Sequence, residues 1–229
     1  MFKTLSPKGA ATRDRIRDAA LARFRREGHD AATMRDIADD AGVAVGAAYH
    51  YFPGKDAIIL AYYDQVQALH AQRVTAAMPH LRALRARLSL VFDTKLDILE
   101  HDRKLMGALL RYTGDADHPL SFLGSGTRDL RDQSVALFAL ALKDETLPKD
   151  LAVLAPLAFW ALHMVILLYS LYDISPRLAR TRQLTDRALD AAVRALAIVK
   201  LPVFRPLRRR VIAMLGDAGI AIAPAQEAA

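Results

Sequence analysis

The sequence predicts an all-α protein of about nine or ten helices, and three observations carry that reading. Ala and Leu supply 76 of the 229 residues while Val, Ile and Thr supply 33, a balance that favours helix over strand. From Leu81 to Leu99, the apolar residues Leu81, Leu84, Leu88, Val91, Phe92, Leu96 and Leu99 keep the 3,4 spacing of one helical face. Helix punctuation recurs at Gly28, Gly42, Pro53-Gly54, Pro79, Gly114 to Gly126, Pro148, Ser175-Pro176 and Pro202.

Taken in order, the first element is an amphipathic helix over Arg13 to Phe24, with Ile16, Ala19, Ala20 and Phe24 on one face and a stop near Gly28. Thr33 stands where an N-cap is wanted and Asp36 follows three residues later, an approximate capping box that opens a short helix to Ala41. Gly42 then makes a turn. The next segment, VAVGAAYHYFPGK, is too short for a core helix and is rich in small residues and aromatics. Two helices joined by a three- to four-residue turn containing Gly, the second projecting outward, form a helix-turn-helix whose second helix fits the DNA major groove. Gly46 and Ala47 would let a backbone approach closely, and Tyr49, His50 and Tyr51 could reach phosphates or base edges. Phe52 reads as a core residue. Lys55 opens the next helix, where a cation opposes the helix dipole, so contact with a phosphate explains it better than local electrostatics does.

Further along, Thr113 to Thr127 is rich in turn formers and is either a surface loop or a mobile lid. Leu151 to Tyr172 has no formal charge over 22 residues and is long enough to cross a bilayer. It reads either as a membrane span or as a helix buried on all sides. Trp160, Tyr169 and Tyr172 are not confined to both ends as an aromatic belt would be, which favours the buried helix. Ser175-Pro176 predicts the start of a helix running to about Lys200, with Leu178, Thr185, Leu189, Ala192, Leu196 and Val199 as its apolar stripe. After Pro202, Arg205, Arg208, Arg209 and Arg210 add a basic helix, and residues 218–229 read as a flexible tail.

Composition narrows the function. The chain has no cysteine, which excludes disulfides, thiolate metal sites and a Cys nucleophile. Its seven histidines form no HExxH pattern, and it contains no P-loop and no GxSxG elbow, so neither an enzyme nor a metal or cofactor is expected. The net charge is +7, and residues 1–55 hold ten Lys+Arg against seven Asp+Glu, a sign that suits DNA. The first residues contain no apolar run of secretory length, so a cytoplasmic location is expected.

The run Thr33-x-x-x-Ile37-Ala38-x-x-Ala41-Gly42-Val43-x-x-Gly46-x-x-Tyr49-x-Tyr51-Phe52-x-x-Lys55 resembles the DNA-binding domain of TetR-family transcriptional regulators over about residues 12 to 60. The resemblance implies an N-terminal three-helix DNA-binding domain over 10–55 and a larger helical ligand-binding and dimerisation domain over 56–217. It implies phosphate contacts at Thr33, Tyr49, Tyr51 and Lys55, and base or close backbone contacts at Arg35, Gly46, Ala47 and His50. It also implies a homodimer, double-stranded DNA as partner and a small-molecule effector. Ala44 and Ala47 offer little for direct base readout, leaving more to DNA shape.

Phe92, Met106, Tyr112, Phe138, Trp160, His163 and Met164 are candidates to line an apolar effector cavity, each with core packing as the alternative. His163, inside the apolar run, is the sharpest of them for orienting a ligand, with a satisfied buried histidine as its alternative. The functional expectation is a regulator, most simply a repressor of a near-palindromic operator released by an apolar small molecule. The alternative is the same fold serving at a membrane surface or binding lipid, with Lys200 to Arg210 meeting anionic headgroups.

Overall fold

The computed structural model describes residues 6–102, 105, 107, 111–112, 115, 117–121 and 123–217. Nine α-helices are bounded among them, with no strand: α1 Pro7–Glu27, α2 Met34–Asp40, α3 Val45–Tyr51, α4 Lys55–Ala77, α5 Leu84–Leu99, α6 Arg128–Leu142, α7 Lys149–Ser170, α8 Ala179–Val199 and α9 Arg205–Asp217. The expected all-α class is observed. The chain forms two compact units, Met1–Ala68 with His101–Leu130, and Leu69–Glu100 with Arg131–Ala229.

In the first unit, α1 is longer than the sequence reading allowed. Ser6 accepts from the Gly9 N–H at 3.2 Å and Pro7 takes the first turn, so the helix starts six residues before Arg13. Ile16, Ala20, Leu21 and Phe24 are its buried face. The capping box of α2 is present: the Asp36 N–H donates to Thr33 Oγ1 at 3.2 Å, and Asp36 Oδ2 accepts from the Thr33 N–H at 3.1 Å. Gly42, at φ 62°, turns the chain from α2 into α3, a left-handed conformation that a side chain would oppose. Ala32, Met34, Ile37, Ala38, Ala41, Ala48 and Phe52 complete the small core beneath these helices.

The stretch read as loop or lid includes described residues that are packed. Leu120 and Ser121 are buried, and Thr127 donates to the Ser121 carbonyl at 2.6 Å. A Cβ at Gly126 would stand 2.8 Å from the Pro119 carbonyl oxygen, so glycine permits the close approach here.

In the second unit, α8 packs on α5 and α7, and α9 packs on α7. Arg85 of α5 reaches Asp186 and Asp190 of α8, and Arg182 of α8 reaches Asp97 at 2.6 Å. The predicted helix over Leu81 to Leu99 begins at Leu84, because Pro79 closes a 3₁₀ turn over Met78–His80 first. Its buried face is broader than the apolar stripe, taking in Arg87, Thr94 and Lys95.

Ser175-Pro176 departs from expectation. It opens a 3₁₀ turn, Pro176–Leu178, in which Arg177 and Leu178 take φ values of 52° and 57°, and α8 starts only at Ala179. Asp173 organises this corner. Its carboxylate accepts from the Ser175 N–H and Oγ and from the Thr181 N–H and Oγ1, all at 2.6–2.8 Å. Burial would raise its pKa, but those hydrogen bonds outweigh burial and hold the carboxyl well below the usual range. The basic helix after Pro202 is present as α9, but Arg208 is not part of a solvated face. It is buried, donating to Asp150 at 2.8 Å and to the Val199 and Leu201 carbonyls. The proposed tail, 218–229, lies outside the described residues.

Candidate nucleic-acid interface and effector core

Three helices build the first site. α1 and α2 bury the inner side of α3 through Ala48, leaving its other residues outside or at the margin. Tyr49 is 52% exposed, His50 is exposed, and Tyr51 is half-buried with its ring 5.2 Å from that of His50 in an edge-on contact. Phe52 is core as expected, with the Arg13 guanidinium 4.8 Å above its ring. Gly46 is exposed and Ala47 half-buried. A Cβ at Gly46 would meet nothing within 4 Å, and its backbone needs no left-handed conformation. Neither close packing nor backbone conformation within the chain therefore requires glycine at this position in the first turn of α3.

Arg35 is exposed on α2. The Thr33 hydroxyl is exposed but engaged, donating to Asp36 Oδ2 at 2.6 Å. Lys55 requires a correction, since local structure does account for it. Its ammonium donates to the carbonyls of His29, Asp30 and Ala32 at 2.7, 2.9 and 3.0 Å, which occupies all three N–H donors. These carbonyls belong to the α1–α2 connection, and Lys55 fixes the loop that presents Thr33. The spacing between Lys55 and the loop is 23 to 26 residues, so no local pattern announced it.

The candidate effector residues separate. Met106 lies outside the described residues. Tyr112 belongs to the first unit, stacked on His118 with ring centroids 3.6 Å apart. In the second unit Phe92, Phe138 and His163 come together: the His163 ring is 4.9 Å from Phe92 and 5.6 Å from Phe138. Trp160 is buried one turn before His163, and Met164 is half-buried beside it.

Two further groups in this core were not singled out by sequence. His70 of α4 is fully buried, with its ring 6.1 Å from that of His163, and Lys95 of α5 is 7% exposed. Burial first, then the Lys95 charge, pushes the His70 pKa down to about 3, and burial with the charges of His70 and Lys95 pushes His163 well below its ordinary value. Burial alone brings the Lys95 ammonium down to about 7. A sequence signal for Lys95 existed, since it follows Val91 by four residues and Phe92 by three, on the buried stripe.

A three-helix module with a glycine turn and a short outward helix defines the class: a helix-turn-helix protein. Residues 16–62 match the family model for bacterial regulatory proteins of the tetR family, and residues 87–209, more than half of the chain, match the tetracyclin repressor-like C-terminal domain. The chain belongs to the TetR family of transcriptional regulators.

Over 95 residues the chain is 28% identical to the HTH-type transcriptional regulator BetI of Brucella anthropi. That stretch is 42% of this chain and 49% of the relative, so the match spans about half the length of the curated relative. Among solved structures, a TetR transcriptional regulator from Nitrosomonas europaea superposes with a TM-score of 0.64 at 20% identity, covering 79% of this chain and 97% of that one. FadR of Thermus thermophilus, a TetR-family transcriptional repressor in complex with lauroyl-CoA, gives 0.58 at 23% identity, covering 77% and 92%. FadR of Bacillus subtilis in complex with stearoyl-CoA gives 0.61 at 18%, covering 77% and 96%. These likenesses establish the fold.

Proposed function

We propose that this regulator is a cytoplasmic homodimeric repressor that reads a near-palindromic operator and is released by an apolar small molecule, with no enzymatic activity of its own. Residues 10–55 are assigned to DNA and 56–217 to effector and dimer contacts. The observation that carries the DNA assignment is the outer surface of α3, where Tyr49 is half exposed and Gly46 has no internal reason to be glycine. Both features suit a helix pressed against a phosphate backbone. Tyr49, Tyr51 and Thr33 are the proposed phosphate contacts, and Arg35, Gly46, Ala47 and His50 face the groove. Lys55 acts through the loop it holds.

Val165, Leu168 and Tyr169 on α7, with Leu184 and Ile198 on α8, are large apolar side chains 39–59% exposed. They support a dimer seam, since a patch of this kind favours burial against a second copy. α7 is long and apolar enough to cross a membrane, with mean hydropathy 2.3, but half of that window is already buried inside the protein. A helix partly buried by its own chain and partly by a partner accounts for this without a bilayer. The lipid-surface alternative loses part of its basic segment, because Arg208 is committed to Asp150.

Two fold neighbours bind acyl-CoA, which supports an effector with a large apolar part. Such a ligand must prefer one packing of the effector domain, shifting α4 and with it the spacing of the paired α3 helices. The test is selection of bound sites from a random duplex pool at near-physiological salt. Recovery of an inverted repeat is the expected result, and recovery of no preferred sequence overturns the operator reading.

A further inference from the structure

Two buried histidines meet in the core of the second unit with much of their hydrogen-bonding capacity unmet. His163 of α7 is 1% exposed, and neither of its ring nitrogens has a hydrogen-bond partner among the described residues. A neutral imidazole carries one donor and one acceptor, and leaving both unmade away from water is unfavourable. His70 of α4 is 0% exposed, and its Nε2 lies 2.8 Å from the Val91 carbonyl oxygen, which can only accept. That bond fixes the proton on Nε2 and turns Nδ1 into a bare acceptor, again without a partner among the described residues. The two ring centroids stand 6.1 Å apart, and the nitrogens of one ring do not bond those of the other. Aromatic rings close around His163: Phe92 lies at 4.9 Å and Phe138 at 5.6 Å, with Phe159 stacked 6.4 Å from Phe138.

The inventory of donors and acceptors decides what complements this pair. His70 Nδ1 demands a donor, which a carboxylate, thioester, ether or ketone lacks and an O–H supplies. His163 takes whichever role the ligand leaves over, because either of its nitrogens can carry the proton. A hydroxyl is the smallest group that serves both rings: it donates to His70 Nδ1, and its oxygen accepts from the His163 N–H. Burial keeps both imidazoles neutral near pH 7, so neither ring supplies a cation for an ionised group. Water has the same inventory but no apolar body, and the aromatic surroundings favour a ligand that brings one. We propose that His70 and His163 hold the hydroxyl of an uncharged apolar alcohol or phenol whose body lies against Phe92, Phe138 and Phe159. This rests on the reading that the second unit takes an apolar effector, and it specifies the group by which that effector is recognised.

The experiment is calorimetric titration of the full-length protein with 4-ethylphenol, 3-phenylpropan-1-ol and octan-1-ol, each beside its methyl ether, which accepts but cannot donate, and with octanoate as the charged control. At least one hydroxyl compound binds about ten-fold or more tightly than its ether, because the ether leaves His70 Nδ1 unpaired. Ethers that bind as well as their parents, octanoate binding more tightly than octan-1-ol, or the failure of all three hydroxyl compounds overturns the proposal. A second readout, the ring-nitrogen NMR spectrum, does not depend on a variant that folds. The His70 Nδ1 signal moves upfield as its lone pair accepts the hydroxyl, and a signal unmoved at saturation overturns the role of His70. In His163→Phe the preference for hydroxyl over ether falls below about three-fold, whereas His163→Gln, which keeps a donor and an acceptor, retains it. Folded His163→Phe protein with the full preference overturns the role of His163. DNA release is read separately. A hydroxyl compound that binds without altering operator affinity overturns the effector reading and leaves the site standing. Release by ethers or acids with every hydroxyl compound inert overturns the site and leaves the effector reading standing.

Discussion

Asp102 grips the Arg25 guanidinium through two parallel bonds, Nε to Oδ1 at 2.6 Å and Nη2 to Oδ2 at 2.9 Å, and the same carboxylate accepts from the Tyr62 hydroxyl at 2.6 Å. Arg25 lies on α1 and Tyr62 on α4, so one side chain joins the first helix of the DNA-binding module to the helix that follows it. Fork-to-fork pairing of this kind adds direction as well as energy. Burial would raise the Asp102 carboxyl, but the bonds from Arg25 and Tyr62 outweigh it and hold its pKa below the ordinary value.

Asp102→Asn keeps the shape and removes the charge. The expected loss is about 1–2 kcal/mol, a fall in Tm of roughly 2–8 °C for a chain of this size. Because the folded pKa is depressed, this contribution is fully present above the unfolded value near 3.8 and is lost as pH falls through the folded one. Wild type and variant therefore converge in acid. Thermal melts at pH 7 and pH 3 check this, and an equal gap at both would show that the charge contributes nothing.

The buried histidines make a second acid-sensitive element, in a higher pH window. Both have folded pKa values below the unfolded value of 6.5, so below that pH the unfolded chain takes up protons that the folded chain refuses. Stability falls as pH drops from about 6.5, by up to about 1.4 kcal/mol per pH unit for each histidine. Lys95 acts likewise between its unfolded value of 10.5 and about 7, where stability falls as pH falls. In urea unfolding between pH 7 and pH 5, His163→Phe is expected to halve the slope of stability against pH. A slope identical to wild type would mean that His163 is already hydrated or protonated in the native protein.

Tyr49→Phe separates recognition from packing. The side chain is 52% exposed, so removing one oxygen leaves the core untouched and Tm within about 1 °C. One phosphate hydrogen bond is worth about 1 kcal/mol and a homodimer loses two, so operator affinity is expected to fall roughly thirty-fold. Fluorescence anisotropy on a selected operator measures it, and unchanged affinity would take Tyr49 out of the interface.

The helices were legible where the signal was local, and the exceptions show why. Ser-Pro occurs twice before a helix. At Ser6-Pro7 nothing competes, and the pair opens α1 as the local rule dictates. At Ser175-Pro176 the Asp173 carboxylate takes both the Ser175 hydroxyl and the Thr181 N–H, and the α-helix is postponed to Ala179. The turn and outer face of the DNA module could be read because small, apolar and aromatic positions follow one another within a few residues. Lys55 could not, because its partners lie on a loop more than twenty residues earlier. Lys95 sits on a legible stripe, but its charge marks it for solvent, and its relation to His70 and His163 exists only once three helices pack.

Lys55→Met tests the structural account of that lysine. Three carbonyls lose a charged donor, with an expected cost of about 1–3 kcal/mol in stability. If the ammonium is fully occupied by the loop, the salt dependence of operator binding stays within about half a unit of wild type, whereas a phosphate contact from each subunit of the dimer would lower the slope by about two. A variant with unchanged Tm and a reduced slope would return Lys55 to the DNA.

Arg177 and Leu178 are neighbours in the same left-handed conformation, yet glycine at the two positions should have opposite effects. A left-handed residue with a Cβ costs roughly 1–2 kcal/mol, while glycine adds back about 0.5–1 kcal/mol through the greater freedom of the unfolded chain. Arg177 is exposed, and the bond it receives from Arg182 Nε at 3.0 Å is to its backbone carbonyl, which glycine keeps. Arg177→Gly is therefore expected to raise stability by up to about 1 kcal/mol. Leu178 is 2% exposed, so Leu178→Gly relieves the same strain but forfeits a buried side chain worth about 2–5 kcal/mol, a net loss. Paired thermal melts decide the matter. If both variants lose stability to the same extent, the strain at this corner is not what sets its energy, and the Asp173 hydrogen bonds alone fix the entry into α8.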